Sequence, residues 1–399
     1  MINETQTAEK GGIEIIEVTT KADLKAFVRF PTWLYRGNSF YVHPLELDEL
    51  TMLSPKNPSW EQVEIKMFLA LKSGGEGSPY KHDKKVVGRI AVMVQKLYNQ
   101  KNGVNYARFT RFDFADDKAV AFALLDAGFD FAKKQGMDAV HGPLGFNDLD
   151  KEGLLVDGFD KISTFAESYN YAYYKKHIED YGFEKEVDWL EFVIQVPESL
   201  DERVAKVAER MRERLGLRIL PREMSVKQIL AQYGKQVFDL LNVCYADLHG
   251  VIPITEKVRE SVLKQFKQII KRDHICIVLE GDTVIGFSLT APNISRSLNR
   301  SKGKLCKLGF LPVNALGIMR EAKKPRYVDL CLIAVAPEYR AKGVSAIMMN
   351  DMFGNLVRNK IISVETNLQL ENNTDIIKMF DGYGKELVKR RRCYIKKID

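Results

Sequence analysis

Long apolar runs are missing from this sequence. None approaches the ~20 residues that cross a bilayer, and the polar stretch Met1 to Gly12 has no signal-peptide core. A cytoplasmic protein is therefore expected. Cysteine is scarce: Cys244, Cys276, Cys306, Cys331 and Cys393 all fall in the second half, and their odd number and wide spacing fit neither a disulfide framework nor a zinc site. Buried, reduced thiols are expected instead. The six histidines form no His-Glu-x-x-His or Cys/His constellation, so no metal is expected. A Gly-Lys-Ser/Thr phosphate loop and a Gly-x-Gly-x-x-Gly fingerprint are both absent, which argues against a nucleotide-hydrolysing P-loop and a Rossmann site. Without a recognition-helix, zinc-finger or RNA-binding signature, no nucleic-acid partner is expected either.

What is present is a chain of 399 residues, 45% apolar and 28% charged, more than one hydrophobic core normally accommodates. The net charge of +7 is uneven: 24 basic and 30 acidic residues up to Pro197, against 36 and 23 after it. An anionic ligand is therefore expected on the second half. In the first half, periodicity predicts a strand at Ile13 to Val18, then a helix carrying Leu24, Phe27, Val28 and Leu34. Strands follow at Lys66 to Leu71 and Lys85 to Val94, around a loop at Ser73 to Asp83, and at Tyr106 to Phe114. A helix at Asp117 to Gln135 stops at Gly136, before a strand at Ala139 to His141, a helix at Tyr173 to Tyr181 and a strand at Leu190 to Val196. Pro197 to Leu200 marks a boundary, and a charged helix spans Asp201 to Leu215.

The order of elements then starts again. Leu217 to Leu220 is a strand, Ser225 to Leu241 and Glu256 to Ile270 are helices, and a hairpin turns at Glu280-Gly281-Asp282. Strands at Tyr327 to Val335, Ile361 to Thr366 and Val388 to Ile398 alternate with helices at Val344 to Val357 and Thr374 to Tyr383. The expectation is an α/β (α+β) chain of two similar domains, 1–197 and 217–399, joined by a helix at 198–216, with an insertion at 294–326.

The sharpest signal is Val328 to Ala346, VDLCLIAVAPEYRAKGVSA. An apolar strand ends at Pro337, and Arg340-Ala341-Lys342-Gly343-Val344-Ser345 opens a helix. The glycine lets the backbone turn tightly, and the first N–H groups of a helix point outward where the macrodipole favours an anion. This is the pattern of a pyrophosphate cradle.

Here the chain resembles the Gcn5-related N-acetyltransferase superfamily, whose hallmark is a strand followed by Arg/Gln-x-x-Gly-x-Gly/Ala. Arg340, Gly343 and Ser345 carry the match, with serine departing at the last position. Downstream, Asn373-x-x-Ile376-Ile377-x-Met379-Phe380-x-x-x-Gly384 resembles the superfamily's second element. The resemblance implies two N-acetyltransferase-like domains in tandem, each a mixed, largely antiparallel sheet flanked by helices. It implies an acetyl- or other acyl-coenzyme A co-substrate, an amine acceptor and direct transfer between them. The cofactor contacts it implies are Ile333, Ala334 and Val335 for the pantetheine arm, residues 340–345 for the pyrophosphate, and Asn373 and Phe380. Phe380 stands where many members place a tyrosine that protonates the leaving thiolate. Asp329, the only acid on the cradle strand, is the candidate base, although a plain strand residue fits equally; Cys331 on the same face reads as core.

In the first half, Asn170 to Phe183 loosely resembles the second element. Its counterpart of the cradle, however, runs Asp113-Phe114-Ala115-Asp116-Asp117-Lys118, where three carboxylates would repel a pyrophosphate. That half is expected to be degenerate and to support the other. The turn His141 to Asp148 reads as local structure, with Asn147 and Asp148 bonding their own backbone. His249 reads as a helix-terminal residue. The insertion carries nine basic residues, one acidic residue and an apolar run from Leu308 to Met319, which suits either a lipid surface and an acyl chain or a solvated loop with a core plug. A rival to the enzyme is an acyl-coenzyme A-binding protein without activity.

Overall fold

The computed structural model describes residues 8–10, 12–81, 83–306 and 311–398. The chain divides into two compact units: residues 1–189 with 295–315 and 389–399, and residues 190–294 with 316–388.

Unit 1 contains β1 (Ala8–Lys10), β2 (Ile13–Glu17), α1 (Lys21–Leu34), α2 (Glu46–Met52), β3 (Val63–Ser73), β4 (Ser78–Pro79), β5 (Lys84–Gln95), α3 (Lys96–Asn102), β6 (Tyr106–Phe114), α4 (Lys118–Lys134), β7 (Ala139–Gly142), β8 (Leu154–Asp157) and α5 (Tyr173–Asp180). The next strand, β9 (Glu184–Gln195), begins in unit 1 and ends in unit 2. The sheet runs β1-β2-β3-β5-β6-β7, antiparallel as far as β6 and parallel between β6 and β7. α1 starts on a reciprocal capping box between Thr20 and Asp23. One core gathers Phe109, Phe112, Phe114, Val120 and Leu124; another gathers Phe27, Phe30, Leu69 and Met93. Each such side chain contributes roughly 1.5–3 kcal/mol by leaving water. Gly88 sits inside β5 because a Cβ there would lie 2.7 Å from Leu124 Cδ1, so the glycine lets α4 lie close on the sheet.

Unit 2 continues with α6 (Glu202–Arg214), β10 (Leu217–Ile219), α7 (Val226–Cys244), α8 (Glu256–Ile269), β11 (Ile275–Glu280) and β12 (Thr283–Pro292). After the detour of α9 (Ser295–Ser301) and α10 (Val313–Lys323) come β13 (Tyr327–Val335), α11 (Val344–Arg358), β14 (Ser363–Thr366), β15 (Gln369–Leu370), α12 (Thr374–Met379) and β16 (Lys385–Lys397). The order is β10-β11-β12-β13-β14 and then the end of β9, with only β13 and β14 parallel. From Lys389 onward β16 belongs to unit 1, where it pairs with β7 and β8.

Most predicted strands and helices recur within a few residues of their expected ends, but the strand expected at Leu190 to Val196 is longer and begins at Glu184. The last helix is shorter than expected: α12 stops at Met379, and a single turn at Asp381–Tyr383 leads into Gly384 at φ 64°. The insertion is partly helical. Its first part joins unit 1, where Asn299 Nδ2 donates to the Tyr41 carbonyl at 2.6 Å and Glu46 N–H donates to the Gly303 carbonyl at 3.1 Å. Lys307 and the start of the apolar run, Leu308 to Phe310, lie outside the described residues.

Candidate functional site

β13 and β14 pair only from Tyr327–Ser363 to Leu330–Thr366. Beyond that point the chain after β14 turns away at Asn367, whose N–H donates to the Leu330 carbonyl at 3.0 Å and whose Nδ2 donates to the Cys331 carbonyl at 3.4 Å. On the other side β12 stays paired with β13 as far as Val335. One edge of Cys331 to Val335 is therefore held, and the other meets no strand among the described residues.

Side chains from the end of α7 and the following turn meet that edge. The Tyr245 hydroxyl donates to the Ile333 carbonyl at 3.1 Å and accepts from the Ile333 N–H at 3.4 Å. Cys244 Sγ donates to the Val335 carbonyl at 3.3 Å, and Arg340 Nε donates to the same oxygen at 3.4 Å. Burial pushes the Cys244 thiol up. Most of these bonds are at the long end of the range, so a ligand amide could replace them at small cost.

After β13, a tight turn at Pro337–Lys342 leads to Gly343 at φ 82° and α11 begins at Val344. No side chain caps this helix start. Its first N–H groups and the exposed side chains of Arg340 and Lys342 lie in one short stretch of chain and are donors of the kind that suit a diphosphate. Lys342 Nζ rests 4.7 Å from the Tyr339 ring centroid. Glycine is favoured at 343 by the positive backbone angle; a Cβ there would also meet the end of the Met211 side chain of α6, which would have to shift. Val344 can offer only its backbone, since its side chain is buried, whereas Ala341 is exposed and Ser345 half-buried. Ile333, Ala334 and Val335 are buried residues; the main-chain groups of Ile333 and Val335 face the open edge, and those of Ala334 face β12.

Asp329 is 5% exposed and accepts a bond of 2.7 Å from Asn293 Nδ2. It lies two residues before the open stretch, opposite Ala291 on β12 and Glu365 on β14. Asn373 occupies the N-cap position of α12 without a side-chain cap bond. Phe380 is fully buried at the C-cap of the same helix. His249 is half-buried after α7, and Asn147 bonds its local backbone, the Leu149 N–H, at 2.9 Å.

Three features had no sequence signal. In unit 2, an apolar cavity lies between α7, α8 and the sheet, walled by Ile229, Phe238, Leu241, Leu263, Phe287 and Leu332 among others. Among the described residues, Ser288 is its one side chain carrying a hydroxyl, amide or charge. In unit 1, a cavity of mixed lining carries five charged side chains, Glu49, Arg89, Arg111, Asp113 and Lys151, in its wall. Arg111, at φ 48°, pairs with Glu49 at 3.0 Å and with Asp150 at 2.6 Å. Burial pushes the Glu49 carboxyl up, but the Arg111 guanidinium outweighs it and holds the group down at about 2. Elsewhere in unit 1, His141 Nδ1 and Cys393 Sγ both lie 3.2 Å from Glu186 Oε2, three potential ligand side chains brought together from distant sequence positions. Cysteine arithmetic could not foresee that meeting.

No family model matches the chain. Protein YghO of Escherichia coli (strain K12) is 27% identical over 390 residues, covering 95% of this chain and 94% of that protein. The bacterial ceramide synthase of Caulobacter vibrioides (strain NA1000 / CB15N) is 27% identical over 304 residues, covering 75% of this chain and 74% of that protein. A solved tandem GNAT protein from the clavulanic acid biosynthesis pathway aligns over 97% of this chain and 99% of its own, with 12% identity and a TM-score of 0.55. At that identity the likeness shows the fold: two Gcn5-related N-acetyltransferase-like domains in tandem.

Proposed function

We propose that this chain is an acyl-coenzyme A-dependent N-acyltransferase whose donor binds on unit 2. The observation that carries the reading is the uncapped start of α11 directly after a β13 edge that no strand covers among the described residues. In this reading Arg340, Lys342 and the N–H groups of residues 343–345 hold the diphosphate. The open edge at Ile333 to Val335 pairs with the pantetheine amides, and a main-chain N–H there polarises the thioester carbonyl. An uncharged amine attacks that carbon, the C–N bond forms, the C–S bond breaks and the thiol leaves. Asp329, oriented by Asn293, takes the amine proton through a water.

Calorimetry with acetyl- and palmitoyl-coenzyme A, followed by a thiol-release assay over an amine panel, tests this. Binding with turnover supports the reading. Binding without turnover on any amine favours a non-catalytic acyl-coenzyme A-binding protein, and absence of binding removes the site.

A second, narrower reading is long-chain transfer to an amino lipid at a membrane surface. The cavity under α7 supports it, because its walls are apolar and would suit the hydrocarbon of an acyl chain. The relative that bears the name ceramide synthase supports it too. So does α10, which exposes Val313, Leu316 and Met319 and carries Arg320 and Lys323 in its last turn, a surface suited to an anionic bilayer. Replacing Leu316 and Met319 with Glu should weaken association with anionic liposomes and leave coenzyme A binding intact. Wild-type preference for acetyl over palmitoyl donors, with no liposome association, would end this reading.

A further inference from the structure

The open edge of β13 needs a proton donor for the departing sulfur, and the position that supplies one in many similar folds holds Phe380, which has no exchangeable proton and is fully buried. Side chains of Asn367, Arg340, Cys244 and Tyr245 reach this edge. The Asn367 amide and the Arg340 guanidinium cannot give up a proton at ordinary pH. Cys244 reaches Val335, the end of the edge nearest the diphosphate cradle. The Tyr245 hydroxyl reaches both main-chain groups of Ile333, two residues farther from the cradle and so nearer the acyl end of a bound donor.

We propose that Tyr245 is the general acid of the transfer, protonating the coenzyme A thiolate as the C–S bond breaks. The assignment rests on the N-acyltransferase reading above. The hydroxyl donates to one Ile333 group and accepts from the other, as a ligand amide would. Its 3.4 Å bond from the Ile333 N–H is weak enough to pass to the thioester oxygen when the donor enters. The hydroxyl then stands beside the reacting carbon. As the amine nitrogen bonds to that carbon, the C–S electron pair goes to sulfur and the phenolic proton follows it, forming the thiol. Asp329 takes the amine proton and passes it through solvent to the phenolate, so amine plus thioester gives amide plus thiol with both residues restored. Tyr245 is half-buried at the C-cap of α7, and the helix fixes the ring's origin relative to β13.

The test is Tyr245→Phe in the full chain, with palmitoyl-coenzyme A as donor and a long-chain 2-amino alcohol as the probe amine. The expected result is a loss in kcat of roughly 10²-fold, with donor affinity by calorimetry unchanged within threefold. An S-acyl 4-nitrothiophenol donor carries a far better leaving group and needs little protonation, so with it the variant should fall within about threefold of wild type. A purely structural tyrosine would slow both donors equally, which would overturn the assignment. It is also overturned if Cys244→Ser, and not Tyr245→Phe, shows the leaving-group-dependent loss. Fluorotyrosine at position 245, which keeps the ring and its packing, guards against misfolding: it should retain turnover where Phe does not. A wild-type chain that binds no acyl-coenzyme A overturns the N-acyltransferase reading itself; binding intact with Tyr245→Phe at full speed overturns only the role of Tyr245.

Discussion

The start of α4 in unit 1 and the start of α11 in unit 2 occupy the same place in the order of elements, each following the strand that begins a parallel pairing. They differ in chemistry. At α4 the carboxylate of Asp117 accepts from the Ala119 N–H at 2.9 Å, Asp116 lies 2.8 Å from His177 Nε2, and Asp113 accepts from Arg89 at 2.7 Å and from Tyr35 at 2.8 Å. The chain's own anions therefore fill the anion site. At α11 the N-cap is Gly343, with no side chain to turn inward. The lesson is that a helix start supplied with its own carboxylate is a structural cap, whereas one without it is left able to take an anion from outside, the role proposed for α11.

The strongest way to break the contrast is to write unit 1's chemistry into unit 2. Ser345→Asp should cost coenzyme A more than 100-fold in affinity, about 2.7 kcal/mol or more, measured by calorimetry. Gly343→Asp is the direct equivalent of Asp117 but would also displace Met211, so Ser345 is the cleaner position.

The two cavities extend the comparison, lined in part by charged side chains in unit 1 and apolar in unit 2. Glu49 is held at about 2, below its ordinary 4.5, so its contribution is present above pH 4.5 and is lost as pH falls through 2. Glu49→Gln should remove up to ~3 kcal/mol at neutral pH and flatten the decline of stability between pH 4.5 and 2, as read from melts across that range. An unchanged acid decline would remove Glu49 from the account of unit 1's stability.

Arg340→Ala should weaken coenzyme A binding by about tenfold, the scale of one charge-assisted bond. The smallest effect is expected from Asp117→Ala: a loss of ~1 kcal/mol in unit 1 stability from the missing cap, with coenzyme A affinity untouched. A change in that affinity would mean that unit 1 takes part in donor binding.

Much of the fold was legible because strands and helices in this chain are amphipathic or uniformly apolar over many residues. β5 and β13 read directly from their apolar content, and α1, α4 and α7 from spacing and caps. The turn from β13 into α11 was legible because a positive φ calls for glycine, and Gly343 has one. The exchange of segments between the units was not, since β9 and β16 look like ordinary strands and nothing local says which sheet each half joins. Phe380 and Asn373 were picked for their places in a motif, and whether such a side chain faces a ligand or a core depends on packing that spacing does not encode.

The sequence by itself determined the order of elements, the charge division between the halves and the glycine on which the cradle turns, because each follows from local preferences of the backbone and of apolar side chains. Only the tertiary structure decided that β13 parts from β14 after Leu330, that Tyr245 meets Ile333 from 88 residues away, and that a cavity opens beneath α7. The reason is physical: a bare strand edge, a hydroxyl set on it and an unfilled volume are relations between surfaces, and they exist only once distant segments have packed.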